Sequence, residues 1–164
     1  MFLKDVGFVG LAGSGKDEAA KILTQLGWKQ QSFAAAVKKI AFEQFGWSRA
    51  KDAKGRKLLQ DLGMAGREYK ESLWIDKARN ELRASKLWDD RIVWTDCRFE
   101  NELAFLRAER QALIIQIVRP GLKADDHISE SGQIKLTCDA IVRNDGSIED
   151  LHKKIIDILN GKTT

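Results

Sequence analysis

Short apolar runs alternate along this chain with longer stretches whose hydrophobic positions recur every three to four residues. The strand-like runs are residues 6–10, 28–33, 91–95, 113–118 and 140–143. The helical stretches are 15–26, 34–45, 56–65, 68–85, 100–109 and 148–160. In the first helix Ala19, Ile22, Leu23 and Leu26 share a face, and Gly27 is a natural stop. The last helix opens on Ser147-x-x-Asp150, a capping pattern, and sets Ile148, Leu151, Ile155 and Leu159 on its apolar face. Strands alternating with helices predict parallel pairing through right-handed crossovers. The expected fold is α/β, in three α/β/α layers around a five-stranded parallel sheet. Helical stretches crowd between the second and third runs, which predicts a projecting helical insertion. There is no internal repeat and no low-complexity segment.

A length of 164 residues suits a single domain, 1–164, with a sizeable core. Hydrophobic residues make up 43% and charged residues 32%, the balance of an ordinary globular chain. No apolar run approaches the ~20 residues of a membrane span. The opening residues lead straight into the first strand-like run without a leader pattern. Cys97 and Cys138 are the two cysteines and lack metal-ligand spacing. A reducing, cytoplasmic setting is expected, without a membrane partner. The net charge of +4 suits a polynucleotide or a small anionic ligand. Its densest stretch holds Arg49, Lys51, Lys54, Arg56 and Lys57, and reads first as a solvated loop and helix start. No aromatic residue interleaves these charges, which argues against single-strand binding.

Residues 10–17 read G-L-A-G-S-G-K-D between the first strand and the first helix. Strand, glycine-rich loop and helix in that order form a phosphate-binding P-loop. Gly10, Gly15 and Lys16 meet its spacing. Gly13 and Gly15 tolerate the backbone angles that bring successive N–H groups onto one anion, and Ala12 and Ser14 complete that nest. The helix start adds its own N–H groups and dipole. Lys16 would meet the terminal phosphates as a mobile point charge. Asp17 stands where the motif has Ser or Thr, the usual Mg²⁺ ligand. Its carboxylate could hold Mg²⁺ directly or through water, or cap the helix instead.

In such a sheet ligands gather at the carboxyl ends of the strands. The third strand leaves through Thr95-Asp96-Cys97-Arg98. Asp96 could orient Mg²⁺ or its waters, and Arg98 could fork onto a phosphate; a structural Asp–Arg pair is the other reading. The fourth strand leaves through Arg119 into a polar segment, a lid-like 119–137 containing Lys123, His127, Glu130 and Lys135. Arg119 could contact a transferring phosphate or form a surface salt bridge. His127 reads as a capping or packing residue before a catalyst, and His152 has no functional company. The turn Asn144-Asp145-Gly146-Ser147 could border a purine or serve only the helix start. In the helical insertion, Gln60 could pair with a base edge, Arg67 could reach a phosphate, and Trp74 could stack or pack.

Together these segments resemble the bacteriophage deoxynucleoside monophosphate kinases of the P-loop nucleoside monophosphate kinase-like group. The likeness covers nearly the whole chain. It rests on Ser14-Gly15-Lys16-Asp17, Phe33-Ala34 with Lys38, Leu59-Gln60-x-x-Gly63 with Arg67 and Trp74, and Thr95-Asp96-x-Arg98-x-x-x-Glu102. It rests also on Val118-Arg119-Pro120-Gly121, His127-Ile128-x-Glu130 and Asn144-Asp145-Gly146-Ser147. Asp after the P-loop lysine is a trait of that family. The resemblance implies transfer of the γ-phosphate of ATP to a deoxynucleoside monophosphate, with Mg²⁺. It implies that Gly10 and Gly13–Asp17 hold the ATP phosphates, that Asp17 and Asp96 serve the metal, and that Arg98 grips the acceptor phosphate. Lys38, Gln60, Arg67 and Trp74 would form the acceptor pocket within a helical region, 34–88. Arg119 and the lid would close over the transfer, and Asn144 and Gly146 would lie near the adenine. A homodimer is compatible with this reading, and no polynucleotide is expected. Two alternatives remain at this level: a P-loop kinase for another phosphorylated metabolite such as dephospho-coenzyme A, and a non-catalytic nucleotide-binding regulator.

Overall fold

The computed structural model describes residues 5–50, 52–123 and 136–162. The chain divides into two compact units. One is built from the residues up to Gln31 and those from Asp90 onward; the other is Ser32–Asp89.

The first unit holds a five-stranded sheet, formed by β1 (Asp5–Val9), β2 (Lys29–Gln31), β3 (Ile92–Cys97), β4 (Leu113–Val118) and β5 (Ala140–Arg143). The spatial order is β2-β3-β1-β4-β5, and every adjacent pair is parallel. Its helices are α1 (Lys16–Gln25), α5 (Glu100–Arg110) and α6 (Ile148–Leu159). A parallel central strand is covered on both faces, so it reads as a mostly apolar run. β1 is buried at every position. Val6, Phe8, Ala19, Leu23, Val93, Ile115, Leu151 and Ile155 form the core between the sheet and helices α1 and α6. Each large aliphatic side chain among them contributes roughly 1.5–3 kcal/mol on burial.

The apolar faces differ from the expected ones at their ends. Leu26 is 59% exposed and Ile148 51%. Both sit at the last or first turn of their helices, beyond the reach of the sheet. Ala20 joins Ala19 and Leu23 in the core instead. The second strand is also shorter than the apolar run 28–33. The Trp28 N–H bonds Leu23 O in the turn that ends α1, so only the polar Lys29–Gln31 pair with β3 at the sheet edge.

The second unit consists of α2 (Ala35–Phe45), α3 (Ala53–Tyr69) and α4 (Leu73–Ala84). α3 starts ahead of the expected residue 56 because the Asp52 side chain caps it, accepting from the Gly55 N–H at 2.7 Å. The expected single helix 68–85 is broken at Lys70, whose extended backbone ends α3. Lys70 then pairs with Asp76 in the first turn of α4 at 2.8 Å. Ser72 and Arg79 also bond that carboxylate. Hydrogen bonds from Lys70 and Ser72 lead the effects that hold the Asp76 pKa down at about 2.

Candidate functional site

The P-loop leaves β1 at the centre of the sheet, between the exits of β3 and β4. Gly10, Gly13 and Gly15 have φ of 155°, 79° and 105°. A Cβ at Gly10 would lie 2.5 Å from Ile117 O, and one at Gly15 would strike the Asn144 amide. Glycine is therefore required by close approach as well as by backbone angle. Ser14 N–H closes the loop onto Leu11 O at 3.1 Å, and Ala19 N–H begins the helical ladder on Gly15 O at 2.8 Å. The N-cap of α1 is Gly15, which has no side chain to cap the helix. The Ser14 Oγ is buried without a hydrogen-bond partner among the described residues. A helix start capped by a glycine, backbone free of side chains and an unsatisfied buried hydroxyl together fit a phosphate group.

Lys16 folds back over this loop, its Nζ donating to Gly10 O and Leu11 O. Asp17 and Glu18 occupy the first turn of α1, with Asp17 exposed. From β4, Arg119 reaches the Gly13 carbonyl at 3.5 Å and is otherwise exposed. A cavity of about 240 Å³ lies here, lined by Gly10, Leu11, Ser14, Gln116 and Arg119 among others. Gln116 was not singled out by the sequence; its signal is a polar residue inside an otherwise apolar strand.

The β3 exit supplies the second group. The pairing of β1 with β3 slips by one residue between Gly7 and Val9, so the ladder is irregular beside Asp96. Such bulges re-aim side chains at strand ends. Asp96 and Arg98 are half-buried. Glu102 fixes this exit from below: its Oε2 accepts from Arg98 N–H at 2.7 Å and Phe99 N–H at 3.1 Å while only 2% exposed. The signal is an acidic residue in the first turn of α5 that can reach back to the chain before it. Cys97, buried behind Asp96, has its thiol pKa pushed well up, chiefly by burial.

At the β5 exit, Asn144 Nδ2 donates to Ser14 O at 2.9 Å. The Ser147–Asp150 capping box forms, so Gly146 lies in a structural turn with an exposed surface. Asp145 is bonded by Lys154 and Arg143, which lower its pKa. His152 joins α6 to α1 through Glu18 O at 3.0 Å. His127 and most of the segment 119–137 lie outside the described residues.

Within the helical unit, Arg67 Nη1 and Trp74 Nε1 both donate to Gly63 O, at 3.2 and 2.9 Å. Trp74 is 4% exposed and its ring lies across Gly66, so it ties α3 to α4. Gln60 is half-buried on α3 and Lys38 exposed on α2. No cluster of three or more His, Cys, Asp or Glu occurs among the described residues. No helix among them is long and apolar enough to cross a membrane.

Over 104 residues the chain is 34% identical to the deoxynucleotide monophosphate kinase of Enterobacteria phage T4, covering 61% of this chain and 43% of that protein. Over 71 residues it is 41% identical to the deoxynucleotide monophosphate kinase of Escherichia phage RB69, covering 43% of this chain and 29% of that one. The chain thus spans less than half the length of these curated relatives. Its fold is similar to that of a dephospho-CoA kinase from Campylobacter jejuni, with a TM-score of 0.55 over 96% of both chains at 16% identity. A model of the family described as deoxynucleotide monophosphate kinase matches residues 51–155. That match takes in the α3 helix and the exits of β3, β4 and β5, and with it the chain belongs to the deoxynucleotide monophosphate kinase family.

Proposed function

We propose that this chain transfers the γ-phosphate of ATP to a deoxynucleoside monophosphate, giving the diphosphate. The observation that carries the reading is the phosphate-fitted loop 10–17 in a chain of this family. Phosphoryl transfer needs in-line alignment and positive charge around the moving group. Backbone N–H groups of the loop and of the α1 start would hold the donor phosphates, and Lys16 would release its carbonyl contacts to meet them. Arg119 would bring charge from the β4 side. Arg98, held by Glu102 through its backbone, would grip the acceptor phosphate from the β3 side. Magnesium, when bound, would neutralise charge on the phosphates, and Asp17 at the start of α1 and Asp96 at the end of β3 would hold it or its waters. No residue is assigned as an obligatory general base, because the acceptor phosphate is already a nucleophile.

Acceptor recognition is assigned to the helical region 34–88, with Lys38, Gln60 and Arg67 as the polar contacts and Trp74 keeping α3 and α4 together. The segment 119–137 is assigned as the lid that excludes water. The proposed partners are small molecules, and the free thiols of Cys97 and Cys138 suit a reducing, cytoplasmic setting. The test is an ATP-coupled assay over ribo- and deoxyribonucleoside monophosphates, with dephospho-coenzyme A as a further acceptor. Turnover dependent on a deoxynucleoside monophosphate is expected. Turnover with dephospho-coenzyme A alone would move the chain to the other kinase class, and ATP binding without any acceptor-dependent turnover would make it a nucleotide-binding regulator.

A further inference from the structure

Asn144 is held from two sides at the exit of β5. Its backbone N–H donates to Val118 O at 2.8 Å, and its Nδ2 donates to Ser14 O at 2.9 Å across 130 residues of sequence. Gly15 follows Ser14 with φ of 105°, and a side chain there would collide with the same amide. A trans peptide unit is planar, with its C=O and N–H pointing in opposite directions. Drawing the Ser14 carbonyl toward Asn144 therefore turns the Gly15 N–H away from β5. The Ser14 N–H is already committed to Leu11 O. Gly15 thus carries a loop donor whose direction is set from outside the loop, and it stands as the N-cap of α1, with no side chain of its own to cap the helix.

We propose that Asn144 is a positioning residue for the phosphoryl donor, acting by fixing the Ser14–Gly15 peptide plane so that the Gly15 N–H is aimed at the donor phosphates. This rests on reading the loop as the donor site. It differs from a contact with the purine: residue 144 governs phosphate affinity and leaves affinity for the nucleoside alone. A carboxylate at 144 has nearly the same shape but no hydrogen to donate, and it faces the Ser14 carbonyl with repulsion. Alanine leaves the carbonyl without its partner and frees the peptide plane to rotate.

The experiment measures binding of ATP, inorganic tripolyphosphate and adenosine to the wild type, Asn144→Asp and Asn144→Ala by calorimetry, with melting temperatures for all three proteins. ATP and tripolyphosphate affinities are expected to fall about tenfold in both variants, while adenosine affinity holds and the melting temperature falls by no more than a few degrees. Unchanged tripolyphosphate affinity would overturn the proposal, and so would equal losses for ATP and adenosine. A wild type that binds neither ATP nor tripolyphosphate would overturn it too. None of these measurements uses an acceptor, so a failure of the kinase reading shows separately, as phosphate binding without turnover.

Discussion

The two ends of one parallel sheet use the same residue types in opposite ways. At the amino edge, Asp5 and Arg110 are both fully buried. Asp5 takes Arg110 at 2.7 and 2.9 Å, Trp94 Nε1 at 2.9 Å and Ile92 N–H at 3.2 Å, and Arg110 also donates to Asp90 O at 3.0 Å. At the carboxyl edge, Asp17 and Arg119 are exposed, Asp96 and Arg98 are half-buried, and Arg119 has a long 3.5 Å contact with the loop. A saturated buried pair has one geometry and nothing left to bind. Charges that stay exposed, as Asp17 and Arg119 do, can still meet a ligand, and their desolvation is deferred until one arrives. The amino edge is therefore built for stability, and the carboxyl edge holds the side chains that the proposed transfer would use, although a list of Asp and Arg residues cannot tell the two apart.

The largest effect belongs to the carboxyl edge. Lys16→Ala is expected to lower acceptor-dependent turnover by roughly a thousandfold, a loss of the size that follows removal of a group stabilising transition-state charge. Its melting temperature should stay within a few degrees of wild type. Turnover near wild type would remove Lys16 from the mechanism. At the amino edge the consequence is reversed: Arg110→Ala strands a buried carboxylate and is expected to cost about 3–5 kcal/mol of unfolding free energy. Chemical denaturation reads this directly, and the folded fraction should keep wild-type kcat. A stable Arg110→Ala protein with impaired kcat would invert the division between the edges.

Arg98→Ala sharpens the comparison within the carboxyl edge. Loss of one charged hydrogen bond to the acceptor phosphate is worth about 1.5–3 kcal/mol, roughly ten- to a hundredfold in acceptor KM. ATP affinity should change much less, and equal losses for both substrates would contradict the assignment. The smallest effect comes from the Asp76 cluster, intermediate between the two extremes. Its folded pKa of about 2 lies below the ordinary 3.8, so the unfolded chain binds the proton more readily. The contribution is nearly complete above about pH 5 and is lost as the pH falls from there to about 2. Urea midpoints of wild type and Asp76→Asn should therefore converge over that window; a constant gap would show that titration of Asp76 is not linked to folding.

The sequence made the sheet legible where apolar runs are bounded by polar residues, as at 113–118 and 140–143, which match β4 and β5. The loop 10–17 was legible because its function demands glycine and lysine at fixed spacing. Periodicity alone could not show that Lys70 breaks the stretch 68–85, since the break is sealed by Asp76 six residues later. Nor could it reveal the Asp5–Arg110 pair or the Asn144–Ser14 bond, whose partners lie 105 and 130 residues apart and meet only once the strands are ordered. Trp74 shows the limit for an aromatic residue: stacking and packing are both open in sequence, and burial against Gly66 with a bond to Gly63 places it in the packing.

The central claim is that charge at the carboxyl edge moves a phosphoryl group between two nucleotides. Incubating the chain with ATP labelled at the γ-phosphate and each deoxynucleoside monophosphate, then resolving the products, tests it most directly. The label should appear in a deoxynucleoside diphosphate, and should fail to do so with Lys16→Ala. Label found only in ATP or inorganic phosphate, with every acceptor, would contradict it.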